Sequence, residues 1–343
     1  MEFESAVQAV KNIKAGWNLG NTLDSHGFIN GDYAVEKYET LWHSPVITRE
    51  MIAEVKKAGF SAMRFPVTWN AHTDENGSIK KEWLDRVEEI ANYALDEGLY
   101  CIINVHHDSG AGAWLCADTD SFDKNSRRFE GIWRNVAERF RDYGEKLMFE
   151  GFNEMLDINK SWTEPTAEDA YEIHNRYNQL FVDTVRATGG NNAFRNLSVQ
   201  TYSAGESQRT LDNFVIPSDS AKVHLIAQVH NYDPQGFCWI KAKDKVLRDN
   251  WGDAEDKLEI DRLIERLSAF SKKTGLPVII GEYGSQHKNN EPDRAAHAKY
   301  LVSNAYREGI KCFWWDTQGE FGLLDRKNCI MLYDSVVKAI TSL

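Results

Sequence analysis

Eight short runs rich in β-branched and aromatic residues alternate along the whole chain with longer segments of helical period, and this repetition limits the possible folds more than any other feature. The runs predict strands over 14–20, 60–67, 99–106, 147–154, 197–202, 223–231, 277–282 and 310–316. Helical patterns lie between them over 49–57, 82–97, 127–143, 167–187, 258–274 and 292–308. Several close at a glycine (Gly59, Gly98, Gly189, Gly309), the residue that most readily takes a left-handed cap. Strand–helix alternation is the pattern of a parallel sheet. No linker interrupts it and no Gly-rich phosphate turn follows the first strand, so a single α/β domain over 1–343, a (β/α)8 TIM barrel, fits better than two doubly wound domains. The interval between the fifth and sixth strands is short and leaves room only for a brief helix within 207–214.

Composition narrows the class of function. With 42% hydrophobic and 27% charged residues, the chain can bury a large core, which excludes disorder and fibres. No apolar stretch approaches the ~20 residues of a membrane span, and the start MEFESAVQAVKNIK lacks a basic region followed by an apolar one. The expectation is therefore no membrane partner and no targeting segment, as in a mature extracellular protein whose leader has been removed, with a cytoplasmic location left open. A net charge of −12 without a basic patch argues against nucleic acid. Five scattered cysteines make neither a zinc site nor a disulfide framework, and leave room for one isolated bridge. Loop carboxylates Asp118, Asp120 and Asp123 are the places where a structural Ca²⁺ would be sought.

Barrels of this kind carry their active sites at the C-terminal ends of the strands. Polar residues accumulate there: Asn18 on the first strand, Arg64 on the second, His106, His107 and Asp108 on the third, Asn153 and Glu154 on the fourth. His230, Asn231 and Tyr232 end the sixth, Glu282 and Tyr283 the seventh, and Trp315 and Asp316 the eighth. Glu154 and Glu282 face one another across the barrel, and two acids flanking one bond are what glycoside hydrolysis requires. An arginine and a tyrosine stand ready to keep one ionised, and apolar surroundings to keep the other protonated. Among the tryptophans, Trp17 and Trp133 read as core, whereas Trp42, Trp69, Trp114, Trp162 and Trp239 fall in loops where ring faces suit pyranose sugars.

Seven motifs in order carry a resemblance: GWNLGNTLD at 16–24, RFPVTW at 64–69, NVHHD at 104–108, FEGFNE at 149–154, VHNY at 229–232, GEYGS at 281–285 and FWWD at 313–316. Together they resemble glycoside hydrolase family 5, and in particular its branch rich in endo-β-1,4-glucanases and xyloglucanases. The resemblance implies a retaining, endo-acting enzyme in which Glu154 is the acid/base and Glu282 the nucleophile. It further implies that Asn153 bonds a sugar 2-hydroxyl, that Arg64 and Tyr232 orient the nucleophile, that His106 and His230 line the subsite of the cleaved sugar, and that Trp315 stacks on it. Asn18 and His107 complete the expected substrate-binding set. The expected substrate is β-glucan polysaccharide (cellulose, mixed-linkage glucan), with xyloglucan, xylan or mannan as alternatives, in a monomer that needs no cofactor and no metal. Two departures from the family pattern, Met155 after the Asn-Glu pair and Tyr283 after the second glutamate, bear on specificity.

Two rivals come from other classes. A metal-dependent barrel hydrolase would use His106, His107, Asp108, His230 and the glutamates as ligands, but adjacent residues on a strand point to opposite faces, which separates His106 from His107. A non-catalytic carbohydrate-binding barrel would keep the aromatics and lose a glutamate.

Overall fold

In the computed structural model, which describes residues 3–27, 34–241 and 246–342, all eight strands are present and close into one parallel barrel in chain order. They are β1 Gly16–Leu19, β2 Ala62–Phe65, β3 Tyr100–Asn104, β4 Leu147–Glu150, β5 Leu197–Gln200, β6 Leu225–His230, β7 Val278–Tyr283 and β8 Lys311–Asp316. Pairing of β8 with β1, Gly16 opposite Phe313 and Asn18 opposite Trp315, seals the cylinder. On β3 and β4 the polar residues that end the sequence run have left the ladder for the loops above, whereas His230, Glu282 and Asp316 stay within β6, β7 and β8. Glu154 is the clearest case: β4 stops at Glu150, so Glu154 stands on the following loop rather than ending the strand.

The predicted helices are recovered as Arg49–Lys57, Lys81–Asp96, Thr119–Arg139, Ala170–Ala187, Ala254–Thr274 and Glu291–Arg307. The third begins earlier than expected, because the Asp118 side chain accepts the amide of Ser121 as its N-cap. Asp118 therefore caps a helix, which accounts for one carboxylate of the loop set considered for calcium. The short fifth helix is Gln208–Asp212, capped by Ser207. The helices Ala6–Asn12 and Asp334–Thr341 escaped the sequence reading. All five cysteines are unpaired.

Inside the barrel the pleat sorts side chains into two layers. The lower layer is apolar: Ala62, Ile102, Met148, Ile226, Ile279 and Phe313 form a cluster closed from beneath by Ala6, Ala9, Val10 and Ile13 of the first helix and its end. Two residues further along, β2, β3, β4 and β6 place their next inward side chains, and these are polar: Arg64, Asn104, Glu150 and Gln228, all fully buried. The outward-facing strand residues pack with the helices in the larger core, where Trp17 and Trp133 lie as expected. β7 breaks its register against both neighbours, from Ile280 opposite Val229 to Glu282 opposite His230, so Gly281 is the extra residue of a bulge. The bulge returns Glu282 to the inside of the barrel and sends Tyr283 outward against Trp314 (ring centroids 5.3 Å).

Candidate active site

Arg64 organises the upper layer. Its Nε and Nη2 donate to the two oxygens of Glu150 (2.6 and 2.7 Å), Nη1 donates to Glu282 Oε1 (2.7 Å) and Asn18 Oδ1 (3.0 Å), and Nη2 also reaches Asn153 Oδ1 (2.8 Å). All of its N–H groups are thereby used. Burial works against the charge, but Glu150 and Glu282 outweigh it and hold the guanidinium firmly protonated. Burial would likewise raise the Glu150 carboxyl, yet Arg64, with a hydrogen bond from Asn104, keeps it below the usual glutamate range. Glu150 and its partners Asn104 and Gln200 were absent from the sequence expectation, although Glu150 shares the inward parity of Met148.

Asn18, expected at the substrate, is fully buried instead. Its Nδ2 donates to the carbonyls of Gly281 (2.9 Å), Phe313 and Trp314 (both 3.2 Å), so it clamps Arg64 and the β7 bulge from below the cleft.

Glu282 receives Arg64 on one oxygen and the Tyr232 hydroxyl on the other (2.9 Å). Burial pushes its carboxyl above the ordinary value, Arg64 pulls it back, and the charge of Glu154 adds to the rise. Burial and the two glutamate charges push the Tyr232 phenol well up, which keeps it a donor. Glu154 stands opposite, its side chain 23% exposed against 6% for Glu282, with Oε1 bonded to His230 Nδ1 at 2.8 Å. His230 Nδ1 also lies 3.7 Å from Glu282 Oε2. The expected contrast of environments therefore takes another form: Glu282 is the desolvated carboxyl, and Glu154 meets solvent and an imidazole. One oxygen of each carboxyl lies within 4.8 Å of the other.

These groups line a cleft of about 600 Å³ at the barrel mouth, together with His106, His107, Asn153 and Trp315. Trp315 lies parallel to the His106 ring at 5.7 Å. Asn104 accepts the Val67 amide on Oδ1, so its Nδ2 donates to His106 Nδ1 (3.0 Å) and the imidazole proton resides on Nε2. Burial, then His107 and Arg64, pushes His106 well down, so it is a neutral donor. His107 is held up by Asp24 against its burial.

The strand-parity argument separating His106 from His107 does not hold, since β3 ends at Asn104 and the two rings meet edge to face at 4.5 Å. Donor atoms of Asp24, His106 and His107 fall within 4.8 Å of one another, as do those of Glu154, His230 and Glu282. The donor chemistry fits a metal poorly all the same. A ligating imidazole nitrogen must be bare, whereas Asn104 leaves His106 protonated at Nε2, and the His230 nitrogen facing the carboxyls is bonded to Glu154.

Of the loop tryptophans, Trp162 and Trp239 line the cleft, and Trp42 stands at the rim against His26 and His107. Trp69 is fully buried, with its indole N–H on the Asn104 carbonyl, and Trp114 is tied to Asp108. Met155 and Tyr283 are both buried outside the cleft, so neither departure touches a ligand there. Glu206 and Asp233 also line the cleft and were missed; they sit just past β5 and β6, beyond the strand period that would reveal them.

A parallel eight-stranded barrel whose C-terminal mouth holds two carboxyls at this separation, over a buried arginine and beside an indole, defines a glycosidase-like protein. The model of the cellulase family (glycosyl hydrolase family 5) matches residues 24–321, and the chain belongs to that family. It is 36% identical over 347 residues to endoglucanase A of Clostridium longisporum, covering 98% of this chain and 65% of that protein, so it spans just under two thirds of this relative's length. Among solved structures it is similar to PbGH5A of Prevotella bryantii in complex with the xyloglucan tetradecasaccharide XXXGXXXG (TM-score 0.90, 40% identity, covering 100% of this chain and 99% of the other). It is also similar to a broad-specificity endoglucanase from Ruminococcus champanellensis with bound cellotriose (TM-score 0.92, 35% identity, covering 99% of each).

Proposed function

We propose that this chain is a retaining endo-β-1,4-glucanase acting by double displacement, with Glu282 as nucleophile and Glu154 as acid/base. The observation that carries this reading is the separation of the two carboxyls, whose nearest oxygens lie within 4.8 Å. Retaining enzymes hold the pair about 5–5.5 Å apart, whereas inverting ones leave about 6.5–9.5 Å for a water. In the first step the Glu282 carboxylate attacks the anomeric carbon while Glu154 gives its proton to the departing glycosidic oxygen. In the second, Glu154 takes a proton from water, which opens the glycosyl ester. Burial suits Glu282 to attack, because a poorly hydrated carboxylate has little solvent to shed. Arg64 and Tyr232 fix its two oxygens, and the 23% exposure of Glu154 gives it access to leaving group and water.

Asn153 spends its Oδ1 on Arg64, which leaves the amide nitrogen to bond a sugar hydroxyl beside the reacting carbon. His106 offers its Nε2 proton, His107 lines the same wall, and Trp315 supplies a ring face. Linear β-1,4-glucans are the first substrate class and xyloglucan the second, the latter supported by the Prevotella complex. We extend the proposal to a secreted monomer, since a polymer too large to enter a cell must be met outside it. The test is a reducing-end assay across barley glucan, carboxymethylcellulose, xyloglucan, xylan and mannan, with proton NMR of the first product. A β-anomer from a β-1,4-glucan is expected; an initial α-anomer would overturn the mechanism. Glu282→Gln should abolish turnover with the fold intact.

A further inference from the structure

Below His230 on β6 sits Gln228, the preceding inward residue of the strand, fully buried. Its amide lies between Ser198 and His230. Ser198 Oγ on β5 donates to Oε1 at 2.9 Å, which turns Nε2 toward His230 Nε2 at 3.3 Å. The seat exists because residue 281 is glycine: a Cβ there would come within 2.4 Å of Gln228 Nε2. An amide nitrogen only donates, so the imidazole Nε2 that faces it must accept. The ring proton is thereby placed on Nδ1, the nitrogen 2.8 Å from Glu154 Oε1.

Resting on the two-glutamate reading above, we propose that Gln228 is a positioning residue that selects the Nδ1–H tautomer of His230 and so keeps the catalytic proton of Glu154 on the oxygen facing the substrate. With Nδ1–H donating to Oε1, that oxygen is an acceptor, and the acidic proton of the carboxyl belongs on Oε2. In the opposite tautomer Nδ1 is bare and accepts. The Glu154 proton would then be drawn to Oε1 and into a bond with the imidazole, away from the glycosidic oxygen it must reach. The ring itself would scarcely move; only its proton changes sides.

The test uses the full chain and two variants. Gln228→Met keeps length and apolar fit while removing the donor, and Ser198→Ala frees the amide to rotate without touching the histidine. ¹⁵N NMR of histidine-labelled protein, with His230 assigned by its loss in His230→Asn, should show Nδ1 protonated in the parent. Gln228→Met should show a shift toward Nε2–H, and Ser198→Ala a smaller one. In parallel, kcat/KM on β-glucan, whose leaving group needs a proton, should fall roughly tenfold to a hundredfold in Gln228→Met. On dinitrophenyl β-cellobioside, whose leaving group needs none, it should stay within about twofold. An Nε2–H ring in the parent, or equal losses on both substrates, overturns the proposal. A parent inactive on both substrates would instead remove the glucanase reading, while the NMR arm would still decide the tautomer.

Discussion

The arrangement of donors decides what each residue of this site does. Asn18, Asn104 and Gln228 are all buried amides one layer under the cleft, and each fixes something above it: the Arg64 fork, the His106 tautomer, the His230 tautomer. Trp315 stands among the groups that line the cleft. Its half-buried ring lies parallel to His106 and lines the cleft, rather than plugging the barrel. Trp315→Ala should therefore lower kcat/KM on β-glucan by about tenfold to several hundredfold, at ~1.4 kcal/mol per decade, with little change in melting temperature. A fall of many degrees on the same sample would show that the ring is core instead. These cleft-lining residues were legible in the sequence because each ends or closely follows an apolar run, as His106, Tyr232, Glu282 and Trp315 do. The buried amides were not, because Gln228 or Gln200 inside a strand run is indistinguishable from an ordinary polar position until the closed barrel shows which face is inward.

At the scale of elements, the eight strands and six long helices could be read from period alone, since each pairs a continuous apolar run with an amphipathic stripe. Other pieces could not, the β7 bulge and the helix Ala6–Asn12 among them. The β7 bulge adds one residue to a ladder without altering its composition, and only the register against β6 and β8 reveals it. The helix Ala6–Asn12 is short and carries mostly small apolar residues, a pattern with no partner until the barrel floor is known. Ile13 at its end is buried in that floor, far from the chemistry. Ile13→Ala should cost about 2–4 kcal/mol of stability while leaving kcat unchanged below the melting transition. Urea unfolding and activity on one preparation measure both, and a loss of kcat in the folded enzyme would contradict the separation of floor from mouth.

For the whole molecule, acid stability follows from buried neutral histidines. Burial lowers His72 and His174 to about 3 and His297 to about 4, from an ordinary 6.5. Between the ordinary and folded values the unfolded chain binds more protons, so the stability is fully present above about pH 6.5 and falls as pH drops, by about 1.4 kcal/mol per pH unit for each group. His72 lies flat on Trp83 at 3.7 Å, a contact that phenylalanine can keep. His72→Phe should therefore flatten the stability profile between pH 6.5 and 5 by about that amount, and an unchanged slope in denaturant titrations would refute the assignment. The barrel floor has a consequence for synthesis as well. The helix Ala6–Asn12 is translated before every strand of the barrel, yet its seat includes Ile279 and Phe313 from the last two strands. At ribosomal speeds of about 5–20 residues per second, the nascent helix waits about 15–60 s before its surface exists. Throughout that interval its apolar face is exposed to the chaperones and proteases around the ribosome, and closure of the barrel joins its floor helix to strands made about 300 residues later.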